Sequence, residues 1–351
     1  MLVDQAERGQ VEILAEADVL KKYGERLTVA SLGAVAKCVR EDGSTVVRIV
    51  HDGTHGVTLN SAIKVRDQVA HPSALDVRRI LQECAQSRVP FFGAAIDVKE
   101  AHRQIRIRPQ DVALQACQLH PGGKVYINLV GTYGAASAGY WWSRLAAAVT
   151  RLAYSIFGGE LCMWVLVYVD DFLVLSGGAK WMDGITLLVL LLSVLGVPIS
   201  WKKLTAGMVV SWIGLEVNLR DWSLGLSARR AAWVTGWLEA KVASGRVVTE
   251  ELTQALGRMQ FAFGVLIYDK PFLAPLYTLI NVHAPEETIH LPSFARAAMS
   301  WLRERLLQRR MMPCSRLPSM GSRAFQSGCQ GGGARYRAGR LDAQLRRRRQ
   351  Y

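Results

Sequence analysis

Two adjacent aspartates, Asp170 and Asp171, stand between apolar runs, Met163 to Val169 on one side and Phe172 to Leu175 on the other. Carboxylates placed there lose hydration and repel one another, so the pair calls for a cation. Oxygen donors suit a hard divalent ion such as Mg²⁺, whose charge reverses the local repulsion. A third isolated acid, Asp97, ends another apolar run, Phe92-Gly93-Ala94-Ala95-Ile96. Two strand ends that bring carboxylates to a shared pair of ions can activate a hydroxyl and neutralise a leaving phosphate, which is phosphoryl-transfer chemistry.

The elements that must position these acids follow from periodicity. Lys37 to Arg40 and Val46 to Val50 flank Asp42-Gly43, a β-hairpin signal, and Ala74 to Gln86 has the apolar spacing of an amphipathic helix. Phe91 to Ile96 and Tyr126 to Val130 read as strands, and Ala136 to Phe157 as a long helix stopped by Gly158-Gly159. Its tryptophans, Trp141 and Trp142, read as core residues. Two strand runs meet at Asp170-Asp171, an apolar helix spans Trp181 to Leu195, and Val209 to Val217 continues as strand. Helices at 227 to 243, 249 to 265 and 292 to 308 follow. This order predicts an α+β fold with helices packed on an antiparallel sheet, then a helical unit.

The residues around the acids resemble the ordered motifs of retroelement reverse transcriptases. Asp97-Val98-Lys99-Glu100-Ala101-His102-Arg103-Gln104-Ile105 is similar to the first catalytic motif, and Tyr168-Val169-Asp170-Asp171 to the YxDD motif. Gly131-Thr132-Tyr133-Gly134-Ala135-Ala136-Ser137-Ala138 resembles the aromatic-Gly segment, with Gly139 where many relatives carry proline. Leu195-Gly196-Val197-Pro198 with Lys202-Lys203 is similar to the fourth palm motif, Trp212-Ile213-Gly214-Leu215 to the primer grip, and Arg48 with Asp52 to the fingers strand.

The resemblance implies a right-hand polymerase with fingers, a ferredoxin-like palm and a helical thumb or connection. It implies RNA-directed DNA synthesis with two Mg²⁺ or Mn²⁺ ions, deoxynucleoside triphosphates, and a DNA primer on an RNA or DNA template. Asp97, Asp170 and the carbonyl of Val98 would hold metal, with Asp171 as ligand or electrostatic support. Arg48, His102, Tyr133, Gly134 and one of Lys202 and Lys203 would meet the nucleotide, Lys37 or Arg40 lying near a second triphosphate contact. Here a guanidinium gives Arg48 a fixed fork for phosphate oxygens. His102 stands where the family places an aromatic residue beneath the sugar. Gln104, Tyr168, Trp212 and Gly214 would contact template or primer. The alternatives are a catalytically silent element copy that binds nucleic acid and an RNA-templated RNA polymerase.

The formal charge of +14 is concentrated at the C-terminus, where residues 303 to 351 hold 13 arginines and only Glu304 and Asp342 as acids. Bulk charge therefore says little about what the body binds. Residues 1–24 read as an N-terminal segment, 25–220 as fingers and palm, 221–312 as thumb or connection, and 313–351 as a disordered basic tail. Few carboxylates follow Glu287, so no RNase H unit is expected. The six scattered cysteines form no zinc or disulfide pattern, and the N-terminus has no leader character, so an intracellular (cytoplasmic or nuclear) setting is expected. Ile185 to Ile199 is too short for a membrane span.

Overall fold

The computed structural model describes residues 2–39 and 42–314. Its central sheet has four antiparallel strands in the order Cys162–Tyr168, Asp171–Gly177, Phe91–Asp97 and Thr205–Gly207. Alternate residues of the two middle strands enter different cores, as the two-residue period of a strand requires. Ala94, Ile96, Phe172 and Val174 pack with Trp142, Leu188 and Leu192 from the helices Ala136–Phe157 and Trp181–Val194. Phe91, Leu173 and Leu175 face a second core, shared with the helix Ala74–Gln86 and the C-terminal helices. Covered on both faces, the Asp171–Gly177 strand is buried from Phe172 to Gly177 and needs an unbroken apolar run.

A five-stranded sheet stands beside it, ordered Val11–Ala15, Lys124–Asn128, Ala116–Gln118, Val29–Val39 and Thr45–Asp52. Its one parallel pair joins Val29–Val39 to Ala116–Gln118. The hairpin signalled by Asp42-Gly43 forms here, while Arg40 lies outside the described residues. The strand expected at Tyr126 to Val130 is Lys124–Asn128, and it pairs in this sheet rather than beside Asp97. Val11–Ala15, within the segment read as a separate N-terminus, is its neighbour.

The run Val209 to Val217 is a hairpin, not one strand: Val209–Trp212 turns back as Leu215–Asn218. Ile213 and Gly214 both have positive φ (46° and 85°), the conformation of a type I′ turn, which glycine accepts and isoleucine resists. Ser223–Leu226 and Met311–Pro313 complete this third sheet.

The helices Ala228–Ser244, Thr249–Ala262, Ala274–Val282 and Ser293–Gln308 form the helical unit, the third of them not anticipated. Pro313 lies in a strand, and Cys314 is buried and accepts a bond from Gln82 Nε2 at 2.8 Å, so the chain is still tied down there. The basic tail lies outside the described residues from 315 onward. Among the described residues no helix is long and apolar enough to cross a membrane.

Candidate active site

Asp97 and Asp171 are paired across neighbouring antiparallel strands, and Tyr168 pairs with Asp171 on the other side. Asp170 therefore occupies the two-residue turn Val169-Asp170, at the same end of the sheet as Asp97. Val169 takes φ 53°, a strained conformation for a β-branched residue. The turn is held from outside itself. Trp142 Nε1 donates to the carbonyl of Val169 at 2.7 Å, the amide of Val98 donates to the carbonyl of Asp170 at 2.9 Å, and Trp212 Nε1 donates to that of Asp171 at 3.2 Å.

Both lysines of the short helical turn Trp201–Lys203 are exposed, and Lys203 Nζ donates to Asp97 Oδ1 at 2.8 Å. The structure thus brings Lys203, the second of the two candidates, to the acids. Burial raises the Asp171 carboxyl to about 6, Asp170 and Asp97 push it in the same direction, and Lys203 opposes them. The bond to Asp97 raises the Lys203 ammonium in turn.

Three oxygen donors at one sheet edge, one of them resisting ionisation beside the other two, have the chemistry that accepts a hard divalent ion. Among the described residues, however, no three His, Cys, Asp or Glu side chains are gathered as a preformed metal group. Asp97 instead meets an ammonium. Val98 itself is buried, with its amide committed to Asp170.

The other expected contacts form a ladder leading away from the acids. His102 lies on the short turn Ala101–Gln104, with its ring 5.1 Å from that of Tyr133 and tilted by 43°. The Arg48 guanidinium lies 4.7 Å from the Tyr133 centroid. Burial lowers the His102 pKa; nearby Asp170 opposes this and Arg48 adds to it, so the ring is neutral near pH 7. Gln104 Nε2 reaches back to the carbonyls of Lys99 and Glu100 at 3.5 and 3.4 Å, bracing the turn.

Gly134 has φ 100°, and a Cβ there would lie 1.9 Å from the carbonyl oxygen of His51, so only glycine fits. Asn60 was not anticipated. It donates to the carbonyl of Gly134 at 2.8 Å and accepts from the amide of Ala136 at 2.9 Å. The latter bond caps the long helix, whose own N-cap residue, Ala135, has no side-chain acceptor. No local sequence signal marks this role of Asn60, because Gly134 and Ala136 lie more than 70 residues away.

A cavity of about 500 Å³ opens beside this ladder, lined by His102, Val169, Gly139 and Tyr140 together with Asp67 and His71. Tyr168 is covered by the ring of His71 at 4.9 Å, a contact also unforeseen. Two tryptophan assignments change. Trp212 is 1% exposed, so its ring is core and cannot present a face to a duplex. Trp142 is core as expected, but Trp141, one residue earlier, is 51% exposed. Gly214 sits at its hairpin turn against Arg230.

No protein-family model matches the chain, and no curated protein matches it. Solved structures of foamy viral protease-reverse transcriptase do. The form designated dRH, in complex with double-stranded DNA, aligns with TM-score 0.61 and 16% identity over 87% of this chain and 46% of that one. The complex with an RNA/DNA hybrid aligns with TM-score 0.61 and 16% identity over 87% and 36%. A further complex with double-stranded DNA gives 0.60 and 16% over 88% and 56%. The chain thus has an α+β reverse transcriptase-like fold and spans between 36% and 56% of the length of these neighbours.

Proposed function

We propose that this chain is an RNA-directed DNA polymerase that extends a DNA primer on an RNA or DNA template from deoxynucleoside triphosphates. The observation that carries the reading is the pairing of Asp97 with Asp171 across adjacent strands, with Asp170 at the intervening turn. The neighbours' complexes with double-stranded DNA and an RNA/DNA hybrid support it.

In this reading Asp97, Asp170 and the carbonyl of Val98 would hold two Mg²⁺ or Mn²⁺ ions, with Asp171 alongside. When bound, such ions lower the pKa of an attacking 3′-hydroxyl and offset charge on the departing pyrophosphate. Arg48 supplies a guanidinium fork to the triphosphate, held in place over Tyr133. The neutral His102 ring and Gly134 form the floor under the nucleotide. Lys203 carries a proton at Nζ, within reach of the acids, where a leaving oxyanion would need one. Gln104, Tyr168 and the backbone at Trp212 and Gly214 border the path of template and primer.

Primer extension on poly(rA)/oligo(dT), with and without Mg²⁺, tests this. The chain should extend only with metal, and Asp170→Asn should cost about 10²-fold or more while duplex affinity holds within a few fold. Extension without metal, or undiminished in Asp170→Asn, would contradict the assignment. A second reading, a silent nucleic-acid binder, is favoured by one observation: Lys203 rather than a gathered set of acids meets Asp97. That reading expects duplex binding with no extension at any metal concentration.

A further inference from the structure

Arg103 follows His102 in the turn Ala101–Gln104 and is only 5% exposed. Its Nη1 donates to Asn128 Oδ1 at 2.9 Å and its Nε to Gln10 Oε1 at 3.4 Å. Nη2 is buried with no partner among the described residues. The nearby acid, Glu100, is itself 3.8 Å from Arg8. A guanidinium taken out of water with an idle N–H is a poor way to stabilise a fold, and replacing it together with its acceptor by apolar side chains avoids both penalties. Stability alone therefore does not account for arginine here.

Its position does. Asn128, 3% exposed and bonded through Nδ2 to the carbonyl of Gln115 at 3.2 Å, ends the strand that leads into Thr132-Tyr133-Gly134. From there the two segments run side by side. Ile107 donates to Leu129 at 3.0 Å, Arg106 bridges Val130, and Gly131 donates to Ile105 at 2.8 Å. A Cβ on Gly131 would lie 2.5 Å from the carbonyl of His102, so the approach is tight. Arg103 is the side chain that ties the two segments at the level of His102 and Tyr133.

We infer that Arg103 is a positioning residue: by holding Asn128 it fixes the gap between the His102 and Tyr133 rings, and with it nucleotide affinity and sugar choice. A lysine lacks the planar fork that reaches Asn128 and Gln10 together. The kinetic part of this inference rests on the polymerase reading, whereas the structural part does not.

The test compares the full chain with Arg103→Met by hydrogen exchange, thermal unfolding and steady-state extension. Exchange of the amides from 131 to 135 should quicken about tenfold, the scale of one lost charge-assisted hydrogen bond, and by more than the amides of the central sheet. KM for the deoxynucleotide should rise about tenfold with kcat within a few fold, and discrimination against ribonucleotides should fall. Asn128→Leu removes the same acceptor and should quicken the same amides and raise KM likewise. A folded variant that melts lower, with exchange at 131 to 135 quickened no more than elsewhere and KM unmoved, would make Arg103 a stability residue and overturn the inference. If the wild-type chain extends no primer, the polymerase reading fails on its own. Exchange then decides, with unchanged rates at 131 to 135 rejecting the positioning role.

Discussion

The ammonium of Lys203 lies 2.8 Å from Oδ1 of Asp97, a contact made across 106 residues of chain. It places a cation among three acids at the end of the sheet where a divalent ion would bind, so ammonium and metal would compete for the same carboxylate. Lys203→Met should lower the Mg²⁺ concentration for half-maximal extension by roughly threefold or more, a modest effect because the lysine is largely exposed. The maximal rate should drop at the same time if Lys203 supplies the proton to the leaving group, as the polymerase reading expects. A magnesium titration reads both, and an unchanged half-saturation point would count against the competition.

Asp171 predicts a stability that depends on pH in an unusual direction. Its folded carboxyl titrates near 6, above its ordinary 3.8, because burial and its neighbours Asp170 and Asp97 disfavour the charge more than Lys203 favours it. The folded state therefore binds this proton more tightly than the unfolded one. The penalty is full above the folded pKa, shrinks as pH falls through about 6, and is gone below 3.8. Metal-free Asp171→Asn should melt higher than wild type at about pH 7.5 and no higher at about pH 4. Added Mg²⁺ should stabilise wild type more than the variant. A variant that melts below wild type at neutral pH without metal would refute this.

Gly134 is tested by adding one methyl group. The new Cβ would meet backbone, the His51 carbonyl, which itself lies beside the His51 amide bonded to the Tyr133 carbonyl at 2.7 Å. Neither the strand bearing His51 nor the turn at Gly134 can yield cheaply, and the φ of 100° adds strain. Gly134→Ala should therefore lose about 2 kcal/mol or more of stability, visible as a lower urea midpoint. A loss under about 0.5 kcal/mol would mean that the segment relaxes freely.

What the sequence revealed, and what it did not, divides along a physical line. Local signals were enough for the helix Ala136–Phe157, with Gly158 at its end, and for the strands bearing Asp97 and Asp171, whose apolar runs serve a sheet covered on both faces. Pairing is not local. Lys124–Asn128 looks like any alternating strand, and nothing in it tells which of two sheets it joins. Neighbouring helix residues differ in direction by about 100°, so apolar Trp141 and Trp142 could not both be core on a one-sided helix. The hairpin at Ile213-Gly214 was hidden because isoleucine is an unfavoured residue for its first turn position. The acids were legible, since charge in an apolar run demands an explanation. Lys203, Asn60 and Arg103 act through partners 106, 76 and 25 residues away, which only folding reveals.

His102 gives the sharpest test of substrate choice. Its ring stacks at a tilt against Tyr133, Asp170 lies close enough to favour its protonation, and Arg48 lies close enough to oppose it. The ring thus stands between the acids and the guanidinium expected to take the triphosphate, where the sugar of a bound nucleotide would rest. Burial keeps it neutral, so it acts by shape rather than charge, and a flat, bulky side chain there crowds a 2′-hydroxyl. His102→Ala opens that space without touching the carboxylates. Ribonucleotide incorporation should rise relative to deoxynucleotide by about tenfold or more, the scale of one lost close contact, through a lower KM for the ribonucleotide. His102→Phe should restore exclusion, because it returns the plane without the imidazole nitrogens. If neither variant changes the ratio of kcat/KM for the two sugars, the ring is a packing partner of Tyr133 and the sugar lies elsewhere.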